Sequence, residues 1–206
     1  SAYSLSAPAP ASGGFETKAK HAILMDADAN LVLFEKDADT LMPPASMSKL
    51  MTLAVAFREL NAGRLKLEDQ FKVSEHAWRT GGAPSGSSAM FAPLNSMVSV
   101  ADLIQGITVQ SGNDSCIILA EGIAGSEEAF AKKMNEYAKE IGLTQSHTVN
   151  STGLPAGGHV MAAREDTRLL GLHGLFIEAQ RRNDVAAATL YAEQAAESAR
   201  APSWAG

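Results

Sequence analysis

Apolar positions along the chain follow two periods. In residues 20–36, two short apolar runs, His21-Ala22-Ile23-Leu24-Met25 and Leu31-Val32-Leu33-Phe34, flank Asp26-Ala27-Asp28-Ala29-Asn30. Asp and Asn favour turns, so the pattern predicts a β-hairpin. The near-continuous apolar character predicts strands covered on both faces. Two strands alone are marginal in water, so the hairpin calls for further strands or helices over it. From Leu50 the period becomes helical: Leu50, Leu53, Ala54, Phe57 and Leu60 recur at three- and four-residue spacing. They predict a helix from Ser46 to about Leu60, ended near Asn61-Ala62-Gly63. Pro43 and Pro44 close the extended segment before it, because a residue preceding proline is pushed away from helical dihedrals. Residues 65–73 read as extended, 74–79 as a short helical turn, and 80–88 as a glycine- and serine-rich loop placed to line a cleft.

Ser99 with Asp102 three residues on has the form of a capping signal, opening a helix over 100–109 with Leu103, Ile104 and Ile107 on one face. A polar corner follows, Gln110-Ser111-Gly112-Asn113-Asp114-Ser115, and leads directly into Cys116-Ile117-Ile118-Leu119-Ala120. Such a corner must satisfy its groups in the interior or at a cleft; as an ordinary helix–helix corner it would use Asn113 or Asp114 as the next cap. Ser126-Glu127-Glu128 starts another helix, with Phe130, Met134, Tyr137, Ala138 and Ile141 as its stripe and Gly142 as its end. Residues 147–158 carry Asn150, Gly153, Pro155, Gly157 and Gly158 and predict irregular chain.

Beyond Arg164 the pattern changes. Leu169, Leu170, Leu172, Leu175, Phe176 and Ala179 form one helical stripe, Arg181-Arg182-Asn183-Asp184 a polar turn, and residues 186–199 an alanine-rich second helix. The resulting division is a flexible Ala/Pro/Ser-rich segment over 1–17, a domain over 18–164 and a helical hairpin over 165–206. The first segment fits the stretch after a cleaved signal peptide, which predicts an exported, periplasmic or extracytoplasmic protein.

The chain has 206 residues, of which 46% are hydrophobic and 19% charged, and a net charge of -6 without like-charge blocks. It is therefore read as folded, with no nucleic-acid surface. No apolar run is long enough to cross a bilayer. The single Cys116 excludes an intrachain disulfide, and the five histidines are scattered, so no metal or other cofactor is expected.

The candidate chemistry lies at Ser46-Met47-Ser48-Lys49. Three residues apart on one helix face, the Ser46 hydroxyl and the Lys49 amine come within hydrogen-bonding reach. A serine is a poor nucleophile until a base takes its proton, and a lysine is that base when burial keeps it neutral. Ser-x-x-Lys also arises by chance about once in a few hundred positions, so it needs a partner motif.

Ser46-x-x-Lys49 followed by Ser111-Gly112-Asn113 resembles the first two motifs of penicillin-interacting serine peptidases. Within that group the chain looks most like the low-molecular-weight D-alanyl-D-alanine carboxypeptidases, through Gly86-Ser87-Ser88-Ala89-Met90-Phe91, Gln110-Ser111-Gly112-Asn113-Asp114 and Thr152-Gly153-Leu154-Pro155, over residues 18–164. The resemblance implies an α+β, helix-rich fold of the β-lactamase/transpeptidase (DD-peptidase) type. It also implies roles. Ser46 would attack the carbonyl between two D-alanines of a peptidoglycan stem peptide, giving an acyl-enzyme, and Lys49 would take its proton. Ser111 would relay a proton to the leaving amine, while Asn113, beside Gly112, would hold Lys49 and the substrate amide. The Ser46 N–H would supply one oxyanion donor. A β-lactam would acylate Ser46 likewise.

The family's third motif, Lys-Thr-Gly on a sheet strand, is not matched: none of the nine lysines precedes Thr-Gly or Ser-Gly. Losing the oxyanion donor of that strand costs about 10²–10³ in turnover. The expectation is a sheet with few strands, mainly 22–25 and 31–34, with bare apolar surface, low stability and self-association. Residues 165–206 resemble one tetratricopeptide-type unit, similar to repeats of membrane-associated proteins, which implies peripheral membrane association of the full protein. The alternative function is a catalytically impaired, truncated or chimeric relative that only binds. A class A β-lactamase is disfavoured, since nothing near Val149 matches that group's Glu-x-x-Leu-Asn motif.

Overall fold

A computed structural model describes residues 16–26 and 31–165. The hairpin's connecting residues 27–30, the N-terminal segment 1–15 and the expected helical hairpin from 166 onward lie outside the described residues.

Strands β1 (Ala22–Asp26) and β2 (Leu31–Lys36) pair antiparallel, with Ala22 opposite Lys36 and a register shift between Leu24 and Met25. The expected hairpin is present, but it is not covered on both faces. Val32 and Phe34 are half-buried, while Leu24, Leu31 and Leu33 are 46%, 45% and 57% exposed. Successive strand side chains point to opposite faces, so a ribbon packed on one side must leave alternate leucines bare.

The strands are few, as expected, and this hairpin is the longest pair among the described residues. Four further strands form two more pairs: β3 (Leu41–Met42) with β6 (Met161–Ala162), and β4 (Gln70–Lys72) with β5 (Met97–Ser99), all antiparallel. Strands this short carry too little pattern to be read from sequence. Of the stretch 65–73 only β4 is extended, because the Asp69 carboxylate accepts from the Lys66 N–H at 2.8 Å and folds the preceding residues into a turn.

The helices follow the sequence closely. They are α1 (Lys49–Asn61), α2 (Glu75–Thr80), α3 (Val100–Gln110), α4 (Asn113–Ala124) and α5 (Glu127–Glu140). Ser74, Ser99 and Ser126 cap α2, α3 and α5, accepting from the amides of Ala77, Asp102 and Ala129. Helix α4 is the axis of the domain: all eight residues from Asn113 to Ala120 are buried. Such an all-round buried helix has neighbours on every side. Cys116, Ile117, Ile118 and Leu119 join α2, α3, β5 and Ala56 of α1 in one core cluster. Ala120 joins a second cluster, built from Met51, Ala54 and Val55 of α1 and Phe130, Met134 and Ala138 of α5.

The 163–165 backbone turns helical after β6, and Glu165 is tied to the domain. Its carboxylate accepts from the Gln145 N–H at 3.0 Å, the Ser146 N–H at 2.8 Å and the Ser146 hydroxyl.

Phe130 is fully buried in the second cluster. Phe130→Ala should cost about 3–5 kcal/mol, read as a lowered urea midpoint at unchanged slope.

Candidate active site

A 3-10 turn over Ala45–Ser48 runs directly into α1. The turn begins under strain, since Ala45 has φ 49°, the left-handed region that non-glycine residues rarely adopt. Ser46 is exposed and Lys49 buried, at 5% relative exposure. The Lys49 amine lies 2.9 Å from Ser46 Oγ and donates to the Thr152 carbonyl at 2.9 Å. The expected Ser46–Lys49 contact is therefore present.

Burial holds the Lys49 proton affinity below the ordinary lysine value, because the ammonium form has lost its hydration. Lys49 enters none of the ion pairs among the described residues. Cys116 is close enough to act on it electrostatically, but burial pushes that thiol up to about 12, so near neutrality it carries no charge. The Lys49 amine is thus shared between the Ser46 hydroxyl and the Thr152 carbonyl.

Helix α4 and the corner before it carry the second group of candidate residues. Asn113 stands one turn before Cys116 on the same helix face, which brings its position toward Lys49. Its amide nitrogen donates to Ser87 Oγ at 2.9 Å, and its Oδ1 is buried without a partner. Asn113, expected to hold Lys49, makes no direct hydrogen bond to it among the described residues: Thr152 takes a lysine N–H, and the Asn113 amide nitrogen is on Ser87. Ser111 closes α3 at φ 52°, with the Gly112 N–H donating to the Gly106 carbonyl at 3.0 Å. Among the described residues the Ser111 hydroxyl makes no hydrogen bond, and it is only half-buried. Neither Asn113 nor Asp114 caps α4; Gly112 stands at the cap without a side-chain bond.

Asp114 does something the sequence did not suggest. Fully buried, its carboxylate accepts from the amides of Met90 at 2.9 Å, Ala92 at 3.2 Å and Ser115 at 2.9 Å. The Asn113 N–H donates to the Ser88 carbonyl at 2.8 Å. The 80–88 loop and the chain after it are thereby stitched to the start of α4, as a cleft wall would require.

Residues 150–153 form a strap across the Ala45–Ser48 turn. Asn150 Oδ1 accepts from Thr152 N, Thr152 Oγ1 and Gly153 N at 3.2, 3.1 and 2.8 Å. Glu127 accepts from the Ser151 N–H and hydroxyl at 3.0 and 2.7 Å, and Thr52 Oγ1 donates to the Ser151 carbonyl at 2.6 Å. Sequence reasoning found this stretch only as irregular chain, because the group that matters, the Thr152 carbonyl, has no side-chain signature. Among the described residues, no group of three or more His, Cys, Asp or Glu is placed to hold a metal ion.

Gly153 has φ +83°, and a Cβ there would stand 1.8 Å from the Ala45 carbonyl oxygen. Gly153→Ala should therefore cost more than the roughly 1–3 kcal/mol of backbone strain alone. Gly157, with nothing within 4 Å of a built Cβ, should tolerate alanine almost neutrally. Parallel urea titrations of the two variants check the contrast.

Comparison with known proteins shows which family the chain falls in. The sequence profile of the D-alanyl-D-alanine carboxypeptidase family matches residues 5–182, reaching eighteen residues past Arg164. The chain is 47% identical over 150 residues to the D-alanyl-D-alanine carboxypeptidase DacC of Escherichia coli (strain K12), covering 72% of this chain and 37% of that protein. It is 40% identical over 146 residues to DacF of Bacillus subtilis (strain 168), covering 71% and 36%. The chain thus spans a little over a third of the length of these relatives. Among solved structures, DacD from Francisella tularensis superposes with a TM-score of 0.72 at 35% identity, over 82% of this chain and 40% of that one. Penicillin binding protein 5 from Haemophilus influenzae gives 0.72 at 34%, over 76% and 45%. The fold is accordingly the α+β DD-peptidase type, and the chain belongs to the D-alanyl-D-alanine carboxypeptidase family.

Proposed function

We propose that the chain carries the nucleophile half of a serine-type D-Ala-D-Ala carboxypeptidase acting on peptidoglycan stem peptides. The observation that carries this reading is an exposed Ser46 hydroxyl 2.9 Å from a buried Lys49 amine whose N–H is taken by a backbone carbonyl. Lys49 accepts the Ser46 proton as Oγ attacks the carbonyl between the two D-alanines. The C–N bond breaks, the terminal D-alanine leaves as an amine that gains a proton through Ser111, and water hydrolyses the ester on Ser46. The Ser46 N–H, in the turn ahead of α1, supplies one oxyanion donor. Asn113 Oδ1, buried and unpartnered, is suited to accept from a substrate amide. A β-lactam acylates Ser46 by the same attack and is released slowly.

This placement goes with an extracytoplasmic location, where stem peptides are found. The bare leucines of β1 and β2 support self-association of this chain, and the likeness of residues 165–206 to repeats of membrane-associated proteins supports peripheral attachment.

A second reading is favoured by one feature: these 206 residues contain no Lys-Thr-Gly. On that reading the chain is an impaired relative that binds or is acylated without turnover. Hydrolysis of diacetyl-Lys-D-Ala-D-Ala distinguishes the two, being present only on the first.

Fluorescent penicillin should label the chain covalently, Ser46→Ala should abolish labelling, and Ser115→Ala should retain it, since Ser115 is fully buried. Labelling of Ser46→Ala equal to that of the unaltered chain sinks the assignment. The labelling rate should also rise with pH through the lowered Lys49 value, because only the neutral amine accepts the Ser46 proton. A rate flat across that range contradicts the role of Lys49.

A further inference from the structure

Ser48 occupies the N-cap position of α1, where a serine hydroxyl ordinarily accepts from an amide of the first turn. Here it does not. Its backbone is already helical, at φ -56° and ψ -23°, and its side chain makes no cap bond. The hydroxyl, fully buried, lies instead 2.9 Å from His159 Nε2. Because the 3-10 turn over Ala45–Ser48 runs straight into α1, the hydroxyl is not needed as a cap and is free for a partner outside the helix.

His159 is itself 3% exposed, and its Nδ1 is buried without a partner. An orphaned acceptor is tolerated better than an orphaned N–H, so the ring proton belongs on Nε2, donated to Ser48 Oγ. Burial keeps the imidazole neutral, as does the neighbouring His147. Between Gly153 and His159 the chain loops out, and residues 154–158 are all exposed. The loop is thus pinned at both feet on one short turn: Gly153 abuts the Ala45 carbonyl, and His159 holds Ser48. Ser46 lies between those two contacts, and Lys49 directly follows the second.

We propose that His159 is a positioning residue for the Ser46–Lys49 pair: through Ser48 it fixes the strained turn between nucleophile and base and keeps the Lys49 amine seated against the Thr152 carbonyl. The proposal rests on the reading of Ser46 as nucleophile and Lys49 as base. A turn that starts from a left-handed alanine relaxes unless both ends are held. Relaxation would lengthen the Ser46–Lys49 contact and admit water to the lysine.

The test uses the whole chain with His159→Leu, His159→Gln and Ser48→Ala. Glutamine keeps a donor nitrogen close to the place of Nε2. Two readouts are taken: the pH titration of the Lys49 side chain by NMR, assigned with Lys49→Arg, and single-turnover acylation by fluorescent penicillin, with rate constant and labelled fraction recorded separately. His159→Leu and Ser48→Ala should move the Lys49 titration up toward the ordinary lysine value. They should also slow acylation of each competent molecule roughly ten- to hundredfold, while His159→Gln restores both. If only the labelled fraction falls, or if Lys49 titrates unchanged in a folded His159→Leu or Ser48→Ala chain, His159 merely fills the interior and the proposal is overturned. Should His159→Leu not fold, the smaller Ser48→Ala change decides. Absence of penicillin labelling in the unaltered chain would count against the proposed activity, whereas the Lys49 titration still decides this inference.

Discussion

A lysine amine withdrawn from water with no carboxylate to meet it is the constraint on which the rest of this domain depends. Burying an ammonium group is costly, and burial accordingly lowers the proton affinity of Lys49. That outcome needs a dry seat and a neutral acceptor. Helices α1, α4 and α5 provide the seat by meeting in two contiguous apolar clusters around Lys49's turn. The Thr152 carbonyl provides the acceptor. A carboxylate in its place would have favoured the charged form of Lys49.

The same economy governs the other buried polar groups. Asp114 is a fully buried carboxylate, and the amides that satisfy it come from two separate segments. Charge-assisted bonds of this kind hold backbone in conformations it would otherwise leave. Phe91, between two of those amides, stands at φ 61° and is 66% exposed, and Ala45 and Ser111 are left-handed too. Each such residue stores on the order of 1–3 kcal/mol, and each lies next to a strap, a clasp or a helix corner that over-determines it.

Much of this was legible in the sequence where a period or a cap was involved. The α1 stripe, the Ser99 and Ser126 caps and the Phe130–Met134–Ala138 face all follow local rules that tertiary packing reinforces. The Ser46–Lys49 pair was legible because helix geometry alone joins residues three apart. What stayed hidden were interactions that a backbone atom or a distant partner completes. Thr152 acts through its carbonyl, Ser48 carries no signal of its own until His159 is beside it, and Asp114 looks like a cap until the amides of Met90 and Ala92 arrive. Two-residue strands such as β3 and β6 hold no period at all. The bare leucines of β2 were misread because a continuous apolar run looks the same whether one face is covered or two.

The strap has a bearing on the time course of folding. Ser46 and Lys49 leave the ribosome within four residues of each other, yet the bonds that seat them span 99 residues from Thr52 to Ser151, 103 from Lys49 to Thr152 and 111 from Ser48 to His159. Contacts of such long range form late, because the entropy of closing the intervening loop must be met first. Until then the chain holds an ordinary serine and an ordinary hydrated lysine, and the pair has no reactivity to waste. On the proposed reading, the reactivity of the pair waits on these long-range contacts, so an unfinished chain is chemically silent.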